Sequence, residues 1–118
     1  WDDDTRTRFS YDSIIPVELA RFAAQRAGNG AVQLTWQTAS ETNNSGFEVQ
    51  RQTGEASPWI DVQFIEGAGT TSDPQSYRFT DRAVPYAAET VRHRLKQVDL
   101  DGTAELSKTV EVRLGTPQ

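Results

Sequence analysis

The feature that most constrains this chain is a two-residue alternation of apolar and polar side chains, repeated in short runs. Val32, Leu34 and Trp36 alternate with Gln33, Thr35 and Gln37; Phe47 and Val49 with Glu48 and Gln50; Tyr77 and Phe79 with Arg78 and Thr80. Val91, His93 and Leu95 take one parity and Arg92, Arg94 and Lys96 the other, while Val110, Val112 and Leu114 alternate with Glu111 and Arg113. Successive side chains of a strand point to opposite faces, so each run buries one face and leaves the other wet. Trp59 to Ile65 reads as a further strand whose parity the sequence leaves open. Turn formers punctuate the runs: Gly28-Asn29-Gly30, Asn43-Asn44-Ser45-Gly46, Gly54 to Pro58, Gly67 to Pro74, Pro85 and Asp101-Gly102. The Asp-Gly pair suits a type I′ hairpin, whose two central residues need positive φ. Short strands at this spacing predict an all-β, antiparallel sandwich or barrel.

One segment points both ways. Val17 to Ala27 is rich in helix formers, Ile15, Leu19 and Phe22 would share a helical face, and Gly28 would cap it. As a strand it needs a bulge, because Leu19 and Phe22 have opposite parity. The all-β context selects the bulged first strand. Trp36, mid-strand and in phase with Val32 and Leu34, is the expected centre of the core.

With 118 residues the chain has material for one domain. Residues 1–15 differ from the rest: Asp2, Asp3 and Asp4 are followed by Arg6 and Arg8, then by a weak apolar pattern at Phe9, Tyr11, Ile14 and Ile15. They are expected to be a linker or the end of a preceding domain. The sandwich is expected over residues 16–115, with 116–118 opening a C-terminal linker. Met is absent even from position 1, so a piece of a longer protein is expected. No charged-then-apolar leader and no apolar run of ~20 residues is present. The net charge of -5, with no basic cluster, argues against nucleic acid and anionic membranes as partners. Without Cys there is neither a disulfide nor a thiolate ligand.

The candidate sites each have a plainer alternative. His93 is the single His, so a zinc site is implausible and an inward-facing core His is expected. Asp99-Leu100-Asp101-Gly102 resembles the opening of a calcium loop, but the twelfth position is Val110 where a Glu is needed, which leaves a hairpin turn. Ser40, Glu41, Asn43, Asn44 and Ser45 read as a polar loop between the second and third strands, turning and capping backbone. Trp1, Trp59 and Tyr86 are the aromatics available for a sugar platform, with Trp59 and Tyr86 the candidate ligand-facing pair. No phosphate-binding glycine loop and no nucleophile elbow is present.

Three stretches resemble a known module. They are Pro16-Val17-Glu18-Leu19 with Phe22 and Ala24; Leu34-Thr35-Trp36 with Thr38 through Val49; and Arg94 through Gly102 with Ser107 and Val110-Glu111-Val112. Together they resemble a fibronectin type III-like domain of secreted Bacteroidetes-type proteins, over about residues 16–114. The resemblance implies a seven-stranded antiparallel Ig-like sandwich. It also implies a place before a C-terminal sorting domain for type IX secretion. Many such domains carry a Tyr before the Arg-Leu-Lys run, where this chain has Val91-Arg92-His93. The tyrosine corner would thus be lost near Val91, with Tyr86 the available substitute.

The resulting expectation is a non-catalytic spacer or presentation module of a larger secreted or cell-surface protein. It would be a monomer without cofactor or metal, partnered by neighbouring domains of its parent. The alternative is a carbohydrate- or protein-binding accessory module.

Overall fold

In a computed structural model of the chain, the described residues are 17–28, 30–85 and 89–114. Trp1, Tyr86, the 1–15 segment and the boundaries at 16 and 115 to 118 lie outside them. The chain forms seven antiparallel strands: β1 (Val17–Arg26), β2 (Val32–Gln52), β3 (Ile60–Thr71), β4 (Gln75–Asp81), β5 (Thr90–Asp99), β6 (Ala104–Leu106) and β7 (Val110–Arg113); the runs at 32–37 and 47–50 both lie in β2, and β6 follows no alternating run. There is no helix among the described residues.

β2 organises the fold. Its first half pairs β1 and β4, from Arg26↔Val32 to Glu18↔Ser40 on one side and from Val32↔Asp81 to Thr38↔Gln75 on the other. Its second half pairs β3 and β5, with Phe47 opposite Ile65 and Gln97. β6 and β7 complete the second layer on β5. One strand therefore serves both layers, and this corrects the polar loop expected at Ser40–Ser45. Those residues stay in the ladder because Glu41 faces Val17 and Thr71, and Asn44 faces Gly69 and Asp99. The turn-forming residues act as a bend: Asn43 takes φ 52 and the register shifts between Glu41, Asn44 and Gly46. Asn is among the few non-glycine residues that tolerate this backbone region. The breaker signal from Gly67 to Pro74 is shorter in space, since β3 continues to Thr71.

β1 is extended, as the all-β context selected against its helix propensity. The register shift at Leu19/Arg21 leaves Ala20 as the extra residue of β1, and the one at Glu18/Leu19 leaves Ala39 unpaired on β2. Leu19 then pairs Thr38 and Phe22 pairs Trp36, so both face inward despite their opposite parity. Burying that stripe against a waiting sheet outweighs propensity differences of only a few tenths of a kcal/mol per residue.

The core lies between the layers and comprises Phe22, Val32, Leu34, Trp36, Phe47, Val49, Val91, Leu95 and Val112. Trp36 is 2% exposed. It stacks on Tyr77 at 5.6 Å between ring centroids and meets Phe22 and Phe47 edge-on at 6.4 and 5.6 Å. The Asp-Gly turn is a hairpin of a different type from the one the dipeptide suggests. Gly102 N–H donates to the Asp99 carbonyl, Asp99 N–H donates to the Thr103 carbonyl, and only Gly102 has positive φ, at 93°. This is the three-residue loop whose last residue is left-handed.

Candidate functional site

Two polar clusters sit inside the sandwich, one at each end, and they hold most of its buried chemistry. The first gathers on Glu41, which is 1% exposed at the bend of β2. Its carboxylate accepts from Thr38 Oγ1 at 2.8 Å, Asn44 Nδ2 at 2.8 Å, Ala68 N–H at 3.0 Å and Tyr77 Oη at 2.6 Å. Asn44, equally buried, accepts in turn from Gln97 Nε2 at 2.9 Å. A Cβ at Gly67 would run into the Asn44 side chain, so glycine there lets β3 close over the cluster. Burial works to raise the Glu41 pKa, but the four donors together outweigh it and leave the carboxyl below its ordinary value. Tyr77 moves the other way: burial, the bond to Glu41 and that residue's charge all raise its hydroxyl pKa. A tyrosine therefore does latch the sandwich, from β4 onto the bend of β2. The corner position at Val91 is filled by a fully buried core side chain.

The second cluster joins β2, β4 and β5. Arg51 Nη1 donates to both oxygens of Asp81 at 2.9 Å, and His93 Nε2 meets Asp81 Oδ2 at 2.8 Å. Ala83 N–H adds a bond of 3.0 Å to Asp81 Oδ1. Asp81 and His93 are fully buried and Arg51 is 8% exposed. Burial would raise the Asp81 pKa; the His93, Arg51 and Ala83 donors and the Arg51 charge reverse this and hold the carboxyl low. His93 is inward-facing as expected, but only half satisfied: Nδ1 has no partner, and neither has Arg51 Nε, among the described residues.

Neither cluster is arranged for catalysis. A nucleophile–base–orienter set needs a hydroxyl or thiol within hydrogen-bond reach of the base and an opening for substrate. His93 has Asp81 on one nitrogen and no bonded hydroxyl on the other, and it is sealed from solvent. Ser40, in the same polar stretch as Glu41, makes no hydrogen bond to it among those described. A depression of about 540 Å³ between β1 and the β6–β7 connection is lined by Leu19, Phe22 and Leu106 with Arg21 and Lys108, without a carboxylate. Among the described residues no cluster of three or more His, Asp or Glu is placed to hold a metal ion.

These clusters make stability depend on acid. Glu41 and Asp81 both have folded-state pKa values below ordinary values of 4.5 and 3.8. Their contribution is fully present above the unfolded values and is lost as pH falls through the folded ones. The urea midpoint is expected to be level between about pH 7 and 5 and to fall steeply below about pH 4. Glu48 works oppositely, because burial and the Asp61 charge raise its pKa, but it is only partly covered and screened. A midpoint unchanged from pH 6 to pH 3 would show that the two carboxylates carry no net stabilisation.

On the outward face of the β3–β2–β5 layer, Trp59 is half-buried and the Arg94 guanidinium lies 4.1 Å above its ring centroid. Arg94 Nε also donates to Gln50 at 2.7 Å, and Gln50 to Asp61 at 2.8 Å. Trp59 is thus part of a polar ladder, with one ring face occupied. Its expected companion Tyr86 lies outside the described residues. Sequence reasoning missed both buried clusters. Asp81 ends an alternating run at the parity of Phe79 and Tyr77, and Arg51 follows Val49 at the same parity; those inward charges were the available signal.

No family model matches the chain, and no curated protein matches it. Among solved structures, the chain is similar to a Fn3-like protein from Clostridium thermocellum, with 17% sequence identity and a TM-score of 0.55. The match covers 83% of this chain and 90% of that one. At this identity the likeness speaks of architecture. With two antiparallel layers joined through a bent second strand and closed by β6 and β7, the chain has a fibronectin type III-like β-sandwich fold.

Proposed function

We propose that this chain is a non-catalytic spacer and presentation module of a larger secreted or cell-surface protein. The observation that carries this reading is the placement of the first and last strands. Val17 pairs Glu41 beside the bend of β2, at the end that also holds Thr71 and Asp99. Arg113 pairs Thr90 at the opposite end, alongside Gln52 and Arg92. The start of β1 and the end of β7 are thereby held apart by the length of β5, about 33 Å at ~3.3 Å per residue. The two buried clusters tie β2 to β4 at both ends, which stiffens the body between them. The resemblance of the Thr38–Val49 and Arg94–Gly102 runs to domains placed before type IX sorting signals supports the extracellular setting. The module is expected to be monomeric, with neighbouring domains as its partners.

The absence of cysteine makes the test clean. Spin labels at Glu18→Cys and Arg113→Cys are expected to give one narrow distance distribution centred at about 25–35 Å, from strand rise and label length. No turnover of ester, peptide or glycoside substrates is expected from the same preparation. A broad or much shorter distribution would remove the spacer reading, and turnover lost in Glu41→Gln would replace it with an enzyme.

A further inference from the structure

We propose that the outward face of the β1–β2–β4 layer binds an anionic polysaccharide that carries carboxylates on its sugars. The pairing registers define this face as three rows of three. They are Arg21, Gln37 and Ser76; Ala23, Thr35 and Arg78; and Gln25, Gln33 and Thr80. In a chain whose net charge is -5, these nine positions hold two arginines and no carboxylate, and the exposed Glu18, paired with Ser40 toward the bend, is the carboxylate at their edge. The outward face of the other layer is different. There Arg92, Arg94 and Lys96 are interleaved with Glu48, Asp61 and Glu111, and the two arginines already bond Gln52, Glu55 and Gln50. Of the two outward faces, the field therefore favours anions at the β1–β2–β4 face.

The shape agrees with the charge. Arg21 and Arg78 stand on β1 and β4, on either side of β2, so about 10 Å of sheet separates their strands. Between them lies a shallow depression of about 330 Å³ lined by Thr35, Gln37 and Ser76 together with the inward-facing Trp36 and Tyr77. Arg21, Arg78, Gln37 and Ser76 are exposed, and among the described residues neither arginine has a carboxylate partner. Two guanidinium groups offer forked donors to carboxylates. The hydroxyls and amides between them can donate to and accept from sugar hydroxyls. A protein partner fits less well, because protein interfaces are anchored by apolar and aromatic groups at their centre. The only apolar member of the nine is Ala23. This inference does not depend on the spacer reading, which its failure would leave standing.

Calorimetric titration of the full chain with polygalacturonate tests it, with dextran and poly-L-glutamate as comparisons. Saturable binding to polygalacturonate is expected, weakening as salt is raised and absent with dextran. The double variant Arg21→Gln/Arg78→Gln is expected to bind at least about tenfold more weakly, and each single variant to lose part of that. Arg92→Gln, on the opposite face, is expected to bind as the parent does. All these variants change surface arginines, and near-UV circular dichroism checks that each is folded. Absence of heat with polygalacturonate, equal binding of dextran, tighter binding of poly-L-glutamate, or an unchanged affinity in the double variant would each overturn the proposal.

Discussion

Replacing Trp36 with alanine is expected to cost about 3–5 kcal/mol, the range for emptying a large aromatic site in a packed core. The ring is 2% exposed, lies flat against Tyr77 and meets Phe22 and Phe47 edge-on, so it touches both layers at once. Its loss opens a cavity where β1, β2 and β4 converge, and the ladders around it limit collapse. Domains of this size hold ~5–15 kcal/mol in total. The melting temperature is therefore expected to drop by more than about 12 °C, at ~4–8 °C per kcal/mol. Trp36→Phe is expected to lose less, because it keeps a ring against Tyr77 and removes an indole N–H that has no partner among the described residues. An unchanged denaturation midpoint in Trp36→Ala would mean that the ring does not bridge the layers.

Asp81→Ala is expected to cost a comparable amount, about 3–5 kcal/mol, by a different route. The carboxylate is the shared acceptor for Arg51, His93 and the Ala83 N–H. Removing it leaves a guanidinium charge almost wholly buried and uncompensated. The signature is non-additivity: a residue pair in direct contact couples, so the damage is not the sum of the single losses. Arg51→Met in the Asp81→Ala background is expected to recover much of the loss, since it takes away the stranded charge and keeps a long apolar stem. Urea unfolding of the two single variants and the double variant measures the coupling. Additive losses, with no recovery in the double variant, would show that Arg51 and Asp81 do not stabilise one another.

The reading of β1 shows what alternation carries and what it cannot. Leu19 and Phe22 announce a bulge in any strand interpretation, and the bulge is present at Ala20. The Ser40–Gly46 stretch shows the opposite case. Its Asn, Ser and Gly composition matches a turn, and a local reading makes it a loop. Its neighbours in space override that, because Val17, Thr71 and Asp99 supply ladder partners from strands that are distant in sequence. The Asp-Gly hairpin was legible as a turn, but its type depended on the flanking register between β5 and β6.

Period, turn chemistry and the bulge parity were enough to specify an all-β chain of short antiparallel runs with Trp36 at its centre, because each is set by residues within a few positions of one another; that the runs at 32–37 and 47–50 join in one bent strand, and that β6 adds another, came only with the tertiary structure. The polar interior was decided only on folding. Glu41 collects donors from residues 3 to 36 positions away, and Asp81 binds Arg51 across 30 residues and His93 across 12. Whether such a side chain is a solvated surface charge or the hub of a buried cluster depends on which strands close over it. A carboxylate is stable in the interior only when distant donors arrive together, and that convergence is a property of the assembled sandwich rather than of any segment of the chain.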